Sequence, residues 1–171
     1  AEPLRWLFEH SAKQWISQDQ EHFLFHGLNL LAMDGTTLRL ADSAANREHF
    51  GAQNYPNDKV ASYPQARCVT LVMLETQIIR DARFGSYKTS ETTFAHELLS
   101  SIPDDSLTVI DRGFLSAQLL CNLIRGGRNR HFLIPAKSNT KWEVIEGSVD
   151  DALVEMAVSA AARKNDPTLP K

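Results

Sequence analysis

Two aspartates each close a short apolar run and lead into a glycine. They are Asp34 in Leu30-Leu31-Ala32-Met33-Asp34-Gly35-Thr36-Thr37 and Asp111 in Leu107-Thr108-Val109-Ile110-Asp111-Arg112-Gly113-Phe114. Each run is β-compatible and bounded by a turn signal, the pattern of a buried strand that delivers its last side chain to the edge of a sheet. A carboxylate is costly to hold there unless a cation or hydrogen-bond donors compensate it. Two of them, from strands far apart in sequence, point to a divalent-metal site for phosphoryl-transfer chemistry. No third carboxylate in a matching context is evident.

The remaining bounds are modest. A chain of 171 residues fits one domain with a sizeable core, with room for part of a second. Its 43% hydrophobic and 23% charged residues are ordinary for a globular protein. The net charge of -3 creates no global basic field, so any nucleic-acid surface must be local or lie outside the chain. No apolar stretch approaches the roughly 20 residues of a membrane span, and no signal peptide opens the chain. Cys68 and Cys121 stand alone in apolar surroundings without a CxxC pair, which reads as reduced core thiols and a cytoplasmic location. The absent initiator methionine and the turn-like Lys164-Asn165-Asp166-Pro167 near the last residue read as a piece of a longer protein.

Along the chain, Leu4, Leu7, Phe8, Ala12, Trp15 and Ile16 predict a leading helix. Residues 26–40 read as strand on both sides of Asp34-Gly35, and residues 41–66, rich in Asn, Gly and Pro, as a long loop. Two strands follow, Arg67–Gln77 and Ile78–Lys88. Ser90 caps a helix with Phe94, Leu98, Leu99 and Ile102 on its apolar face. After the strand ending at Asp111, Leu115, Leu119, Leu120, Leu123 and Ile124 mark a second helix, stopped by Gly126-Gly127. Arg130–Ala136 is a further strand, with Lys137 just past its end. Residues beyond 140 fit two patterns: a helix capped by Ser148, or strands with Val154, Met156 and Val158 on one face.

The order β-β-β-α-β-α-β predicts an α/β mixed sheet with helices on its faces. Aspartates ending its first and fourth strands match the layout of the ribonuclease H-like fold, in which those strands are neighbours. In that setting LLAMDGTTLRL (residues 30–40) and TVIDRGF (residues 108–114) resemble the first and second aspartate motifs of bacterial DDE transposases, most closely the insertion-sequence-four (IS-four) family. RHFLIPAKSNT (residues 130–140) resembles the strand that follows in that family. The likeness runs from about residue 26 to 146, and the aspartates, at positions 34 and 111, are 77 residues apart.

The resemblance implies DNA transposition by metal-dependent strand cleavage and strand transfer. Asp34 and Asp111 would be the catalytic residues and ligands of Mg²⁺ or Mn²⁺, and DNA (transposon ends and target) the partner of the intact protein, acting as a dimer. It divides the chain into the end of an N-terminal helical region (1–25), a ribonuclease H-like catalytic core (26–140) and the start of a β-rich insertion (141–171), which favours strands after residue 140. The family's catalytic Glu follows that insertion in a Tyr-Arg-Glu-Lys signature. This sequence has none, and Glu143, Glu146 and Glu155 lie in other contexts, so the expectation is an inactive catalytic-core fragment. A non-catalytic DNA-docking or interaction module derived from a transposase is the second reading.

Each residue also has a plainer role. Asp34-Gly35 fits a hairpin turn, and Asp111 fits a cap on the following helix. Arg112 and Lys137 are candidate DNA-phosphate contacts or solvated cations. Arg125, Arg128, Arg130 and His131 form a local basic cluster of the kind found at solvated helix ends, and Asp42 reads as a turn residue. The six histidines show no zinc-ligand spacing. Ala32-Met33-Asp34-Gly35-Thr36 also resembles the DxDGT motif of haloacid-dehalogenase-like phosphatases, but Ala32 stands where their nucleophile would be.

Overall fold

The apolar run around Asp34 folds as one unbroken strand in the computed structural model, which describes residues 2–19, 24–56, 59–148 and 150–170. A leading helix, α1 (Glu2–Asp19), precedes that strand, β1 (Asn29–Arg39). Then come a short helix α2 (Ala44–Phe50) and a two-residue ladder of β2 (Asn54–Tyr55) and β3 (Lys59–Val60). The long hairpin of β4 (Gln65–Met73) and β5 (Ile78–Ser86) leads into α3 (Glu91–Leu98). The chain continues as β6 (Ser106–Ile110), α4 (Ala117–Arg125) and β7 (Arg130–Leu133). A hairpin of β8 (Glu143–Gly147) and β9 (Ala152–Glu155) and a short helix α5 (Ala160–Asn165) complete it.

Five strands form one mixed sheet in the order β5-β4-β1-β6-β7. β1 runs antiparallel to β4 and parallel to β6, and β7 extends the sheet parallel to β6. With β1 central, this is the ribonuclease H-like arrangement the sequence predicts, and the antiparallel β4-β5 side rules out the doubly wound sheet of the phosphatase reading.

One face of the sheet carries the core. Leu31, Met33, Val69, Leu71, Met73 and Ile110 pack there with Phe94, Ala95 and Leu98 of α3 and Leu119 and Leu123 of α4. Side chains alternate between faces along a strand, so Leu30, Ala32 and Asp34 point the other way and are half-buried or exposed. Each fully buried leucine contributes about 1.5–3 kcal/mol over leaving it in water. The starts of the two parallel outer strands are tied by polar residues. Asp105 and Asn129, directly before β6 and β7, both take positive φ (50° and 51°), and Asn129 Nδ2 donates to Asp105 Oδ1 at 2.9 Å.

Several expectations need correction. Residues 41–66 are not all loop: Ser43 caps α2 by accepting from Asn46 N–H, and Arg47 ties the segment together through Asp42, Ala61 O and Ser62 O. Asp42 is thus an ion-pair partner at 2.5 Å rather than a bare turn residue. Leu115 lies before α4 and Ile124 is 47% exposed, so the apolar face there is narrower than its spacing suggests. The strand after α4 ends at Leu133, three residues early. Beyond residue 140 strands do form, as β8-β9, but β9 ends at Glu155, so Met156 and Val158 lie outside it, and α5 follows. Ser90 caps α3 through Thr93 N–H as predicted, and both cysteines are free. No described helix is long and apolar enough to cross a membrane.

Candidate active site

Parallel pairing brings the two aspartates to one place. Ala32 lies opposite Val109 and Met33 opposite Ile110. Asp34 and Asp111 are the next residues on each chain, at the same level of neighbouring strands whose backbones run about 4.8 Å apart. Met33 and Ile110 are buried on the core face, so both aspartates alternate onto the opposite face, and both are exposed. Asp34-Gly35 makes no turn: Asp34 pairs with Thr70 and Gly35 with Val69.

Backbone donors fix one oxygen of each carboxylate. Gly35 N–H donates to Asp34 Oδ1 at 2.7 Å, and Gly113 N–H to Asp111 Oδ2 at 2.9 Å. Asp111 is therefore a cap as well, although it caps a single 3-10 turn (Arg112–Phe114) and not α4 itself. The other oxygen of each carboxylate has no protein donor among the described residues, so two unpaired carboxylate oxygens remain at neighbouring positions of one face. One or two carboxylates with water completing the shell is the ligand set Mg²⁺ takes, so the residues present fit that ion class. Among the described residues no group of three His, Cys, Asp or Glu side chains could hold a metal ion. Glu143 and Glu155 face each other across the β8-β9 hairpin, and they and Glu146 are solvent-exposed. None of the three joins the pair.

A support behind β1 was not visible in the sequence. A side chain at Gly35 would come within 2.8 Å of Glu91 Cδ, so the glycine lets the first turn of α3 close onto the strand beside Asp34. Glu91 lies 3.8 Å from Arg67 Nε. Arg67 in turn stacks 4.6 Å over Tyr87 and donates to Thr89 O at 3.0 Å. The only local signal was an acidic residue after a serine cap, which describes many helices.

The proposed DNA contacts differ in setting. Arg112 is exposed in the turn directly after Asp111. Lys137 is half-buried in a turn closed by Thr140, whose Oγ1 accepts from Lys137 N–H at 3.0 Å. Neither pairs with Asp34 or Asp111. Within the basic cluster the three arginines have partners, but only Arg130 is buried; Arg125, Arg128 and His131 are exposed to solvent. Arg128 pairs with Asp105 at 2.9 Å, Arg130 is buried near Asp104 at 3.7 Å, and Arg125 donates to Thr168 O at 2.9 Å. Arg128 and Arg130 sit at the start of β7, the end of the parallel strands away from the aspartates.

Comparison with known proteins gives a consistent result. The family described as "Transposase DDE domain" matches residues 25–169. "Putative transposase InsZ" of Escherichia coli (strain K12) is 39% identical over 149 residues, covering 85% of this chain and 49% of that protein. "Transposase InsG for insertion sequence element IS4" of the same organism is 33% identical over 170 residues, covering 99% of this chain and 38% of its own length. The chain thus spans half or less of the length of these curated relatives. A more distant likeness is to the piggyBac transposase in a cryo-EM synaptic complex with hairpin DNA. Its TM-score is 0.47 at 16% identity, over 66% of this chain and 24% of the other.

Proposed function

This chain belongs to the transposase DDE-domain family, and on that basis we propose that residues 26–140 are a catalytic core for metal-dependent phosphoryl transfer at transposon ends. The observation that carries the proposal is the shared register and shared face of Asp34 and Asp111.

Asp34 and Asp111 would hold Mg²⁺ or Mn²⁺ through the oxygens that Gly35 and Gly113 leave free. When bound, such ions neutralise charge on the phosphodiester and activate the attacking and leaving oxygens. The chain's own contribution is position. The backbone N–H bonds fix the carboxylate planes before substrate arrives, so little reorganisation is needed during reaction. Arg112 and Lys137 would contact DNA phosphates and set the register of the duplex without reading its sequence. In the intact protein, water attacks the transposon-end phosphodiester, and the freed 3′-hydroxyl then attacks target DNA within a dimer. On this reading the third carboxylate would come from outside residues 26–140, and residues 141–171 would begin a β-rich insertion.

The isolated chain is therefore expected to bind Mn²⁺ weakly and to cleave no DNA. Electron paramagnetic resonance of free Mn²⁺ measures the first, and a nicking assay on supercoiled plasmid the second. Loss of Mn²⁺ binding in Asp34→Asn and in Asp111→Asn supports the site. Metal-dependent nicking that persists in Asp34→Asn overturns it. DNA binding with no Mn²⁺ binding favours the docking-module reading.

A further inference from the structure

The edge strand β5 carries an irregularity. Leu71 of β4 pairs with Asp81 and Val72 with Ile79, which leaves Arg80 without a partner on β4. An extra residue of this kind is a β-bulge, and bulges re-aim side chains that regular alternation would send elsewhere. Consecutive residues on a regular strand point to opposite faces, yet Arg80 and Asp81 line the same pocket of about 300 Å³. The pocket lies between the edge strand, Glu9 and Lys13 of α1, and Ser101 after α3.

The charges of this pocket do not cancel. Asp81 is 9% exposed and fully engaged: it accepts from Ser101 Oγ at 2.5 Å, Ala82 N–H at 2.8 Å and Arg83 Nη1 at 2.6 Å. Glu9 pairs with Arg5 at 2.9 Å. Each wall carboxylate thus has a cation of its own, and two further cations remain. Lys13 has no carboxylate within ion-pair distance among the described residues, and Arg80 makes one bond, from Nε to Ser101 O at 2.5 Å. Burial pushes the Arg80 guanidinium below its ordinary pKa, and Asp81 only partly opposes this. The remaining Arg80 donors make no protein hydrogen bond among the described residues and open into the pocket, where they can meet an anion.

We propose that this pocket binds a phosphate group, with the Arg80 fork and the Lys13 ammonium as its cations. A guanidinium presents paired N–H donors to two phosphate oxygens, while an ammonium adds a point charge. Asp81 pairs with Leu71, which pairs with Met33 on the core side of the sheet. The pocket is therefore two strands and one face away from the aspartate pair, and the inference stands independently of the metal site. The phosphate has two possible sources: a free ion or the backbone of a bound duplex.

The test is thermal unfolding and isothermal titration of the full chain with inorganic phosphate, against chloride at matched ionic strength. Phosphate is expected to raise Tm saturably, because a ligand bound only by the folded state stabilises it. Lys13→Gln and Arg80→Gln should each weaken the apparent affinity at least tenfold, Arg80→Lys should weaken it less than Arg80→Gln, and Lys164→Gln on α5 should change nothing. Lys13 is on the exposed side of α1, so its variant keeps the test valid if Arg80→Gln unfolds. Titration with a short duplex then separates the sources. Duplex binding that phosphate competes and Lys13→Gln weakens assigns the site to a DNA backbone, whereas duplex binding indifferent to both assigns it to free phosphate. The same Tm rise in wild type and Lys13→Gln, or none in wild type, overturns the proposal.

Discussion

Asp34 and Asp111 stand at one level of two parallel neighbours, one residue past the last paired positions, Met33 and Ile110. Their sequence separation matches the offset of the β1-β6 register, so the pairing that builds the centre of the sheet also aligns the carboxylates. If they share one ion, removing either should abolish its binding about as completely as removing both. Groups that act as a unit are strongly non-additive. Mn²⁺ titrations of Asp34→Asn, Asp111→Asn and the double variant check this. Additive losses would mean two separate weak sites. All three variants should keep the wild-type stability within about 1 kcal/mol, since both residues are exposed and each carboxylate makes a single backbone bond.

Thr108 predicts an unusual gain. It is fully buried in β6 between the aspartate strand and β7, and its Oγ1 has no hydrogen-bond partner among the described residues. A buried hydroxyl without a partner costs about 1–3 kcal/mol. Valine has nearly the same shape and the same β-branched preference for strands. Thr108→Val should therefore stabilise the protein by about 1 kcal/mol, a rise in Tm of about 2–4 °C for a chain of this size. A fall in Tm would show that the hydroxyl is bonded after all.

Gly127 predicts a loss, and the reason is space rather than backbone freedom. Gly126, which ends α4, has an ordinary right-handed φ of -71°, so the glycine pair is not the left-handed stop its sequence suggests. A Cβ on Gly127 would instead run into Arg130 Nε and Asp104 Oδ1. Those two side chains are an ion pair at 3.7 Å, and Arg130 Nη1 also donates to Leu99 O at 3.1 Å. Gly127→Ala should cost about 1–3 kcal/mol, as overpacking does, while Gly126→Ala should cost less. Denaturant midpoints of the two variants decide it.

The element order was legible because most elements announce themselves locally: an apolar run in the strands, serine before α3, a hydrophobic stripe in α4; the order of strands in the sheet came from the ribonuclease H-like layout that this element order matches. The aspartate pair followed because both motifs lie on strands that the topology makes neighbours, although β1 runs on past Asp34 to Arg39 and only Asp111 stands at a strand end. Other features were hidden for physical reasons. α2 buries none of its own residues, so it has no stripe to read, and its ties run through Arg47 to carbonyls 14 and 15 residues away. The burial of Arg130 was hidden because its partner, Asp104, is more than 20 residues distant, whereas Arg128 is exposed as its spacing suggests. The Arg80 bulge and the Glu91-Arg67 support depend on inter-strand register and helix placement, which no local pattern encodes. The β8-β9 segment carried helical and strand periods together, and only the family resemblance tipped it.

His96 gives the protein a dependence on mild acid. It sits on α3, and burial holds its imidazole below the ordinary value of 6.5. The folded state thus favours the neutral ring, and between the two values the unfolded chain binds more protons. Stability rises with pH wherever the unfolded state is the more protonated. The contribution is therefore fully present above about pH 6.5 and is lost as pH falls through the folded value. Asp42 and Asp166 act in the same direction but in a lower window. Hydrogen bonds from Arg47 and Thr168 hold them below 3.8, so their effect begins only at stronger acidity. Tm should accordingly fall between pH 7.5 and 5, and His96→Gln should flatten that part of the curve while leaving the drop below pH 4 in place. An unchanged slope in His96→Gln would move the titrating group elsewhere in the chain.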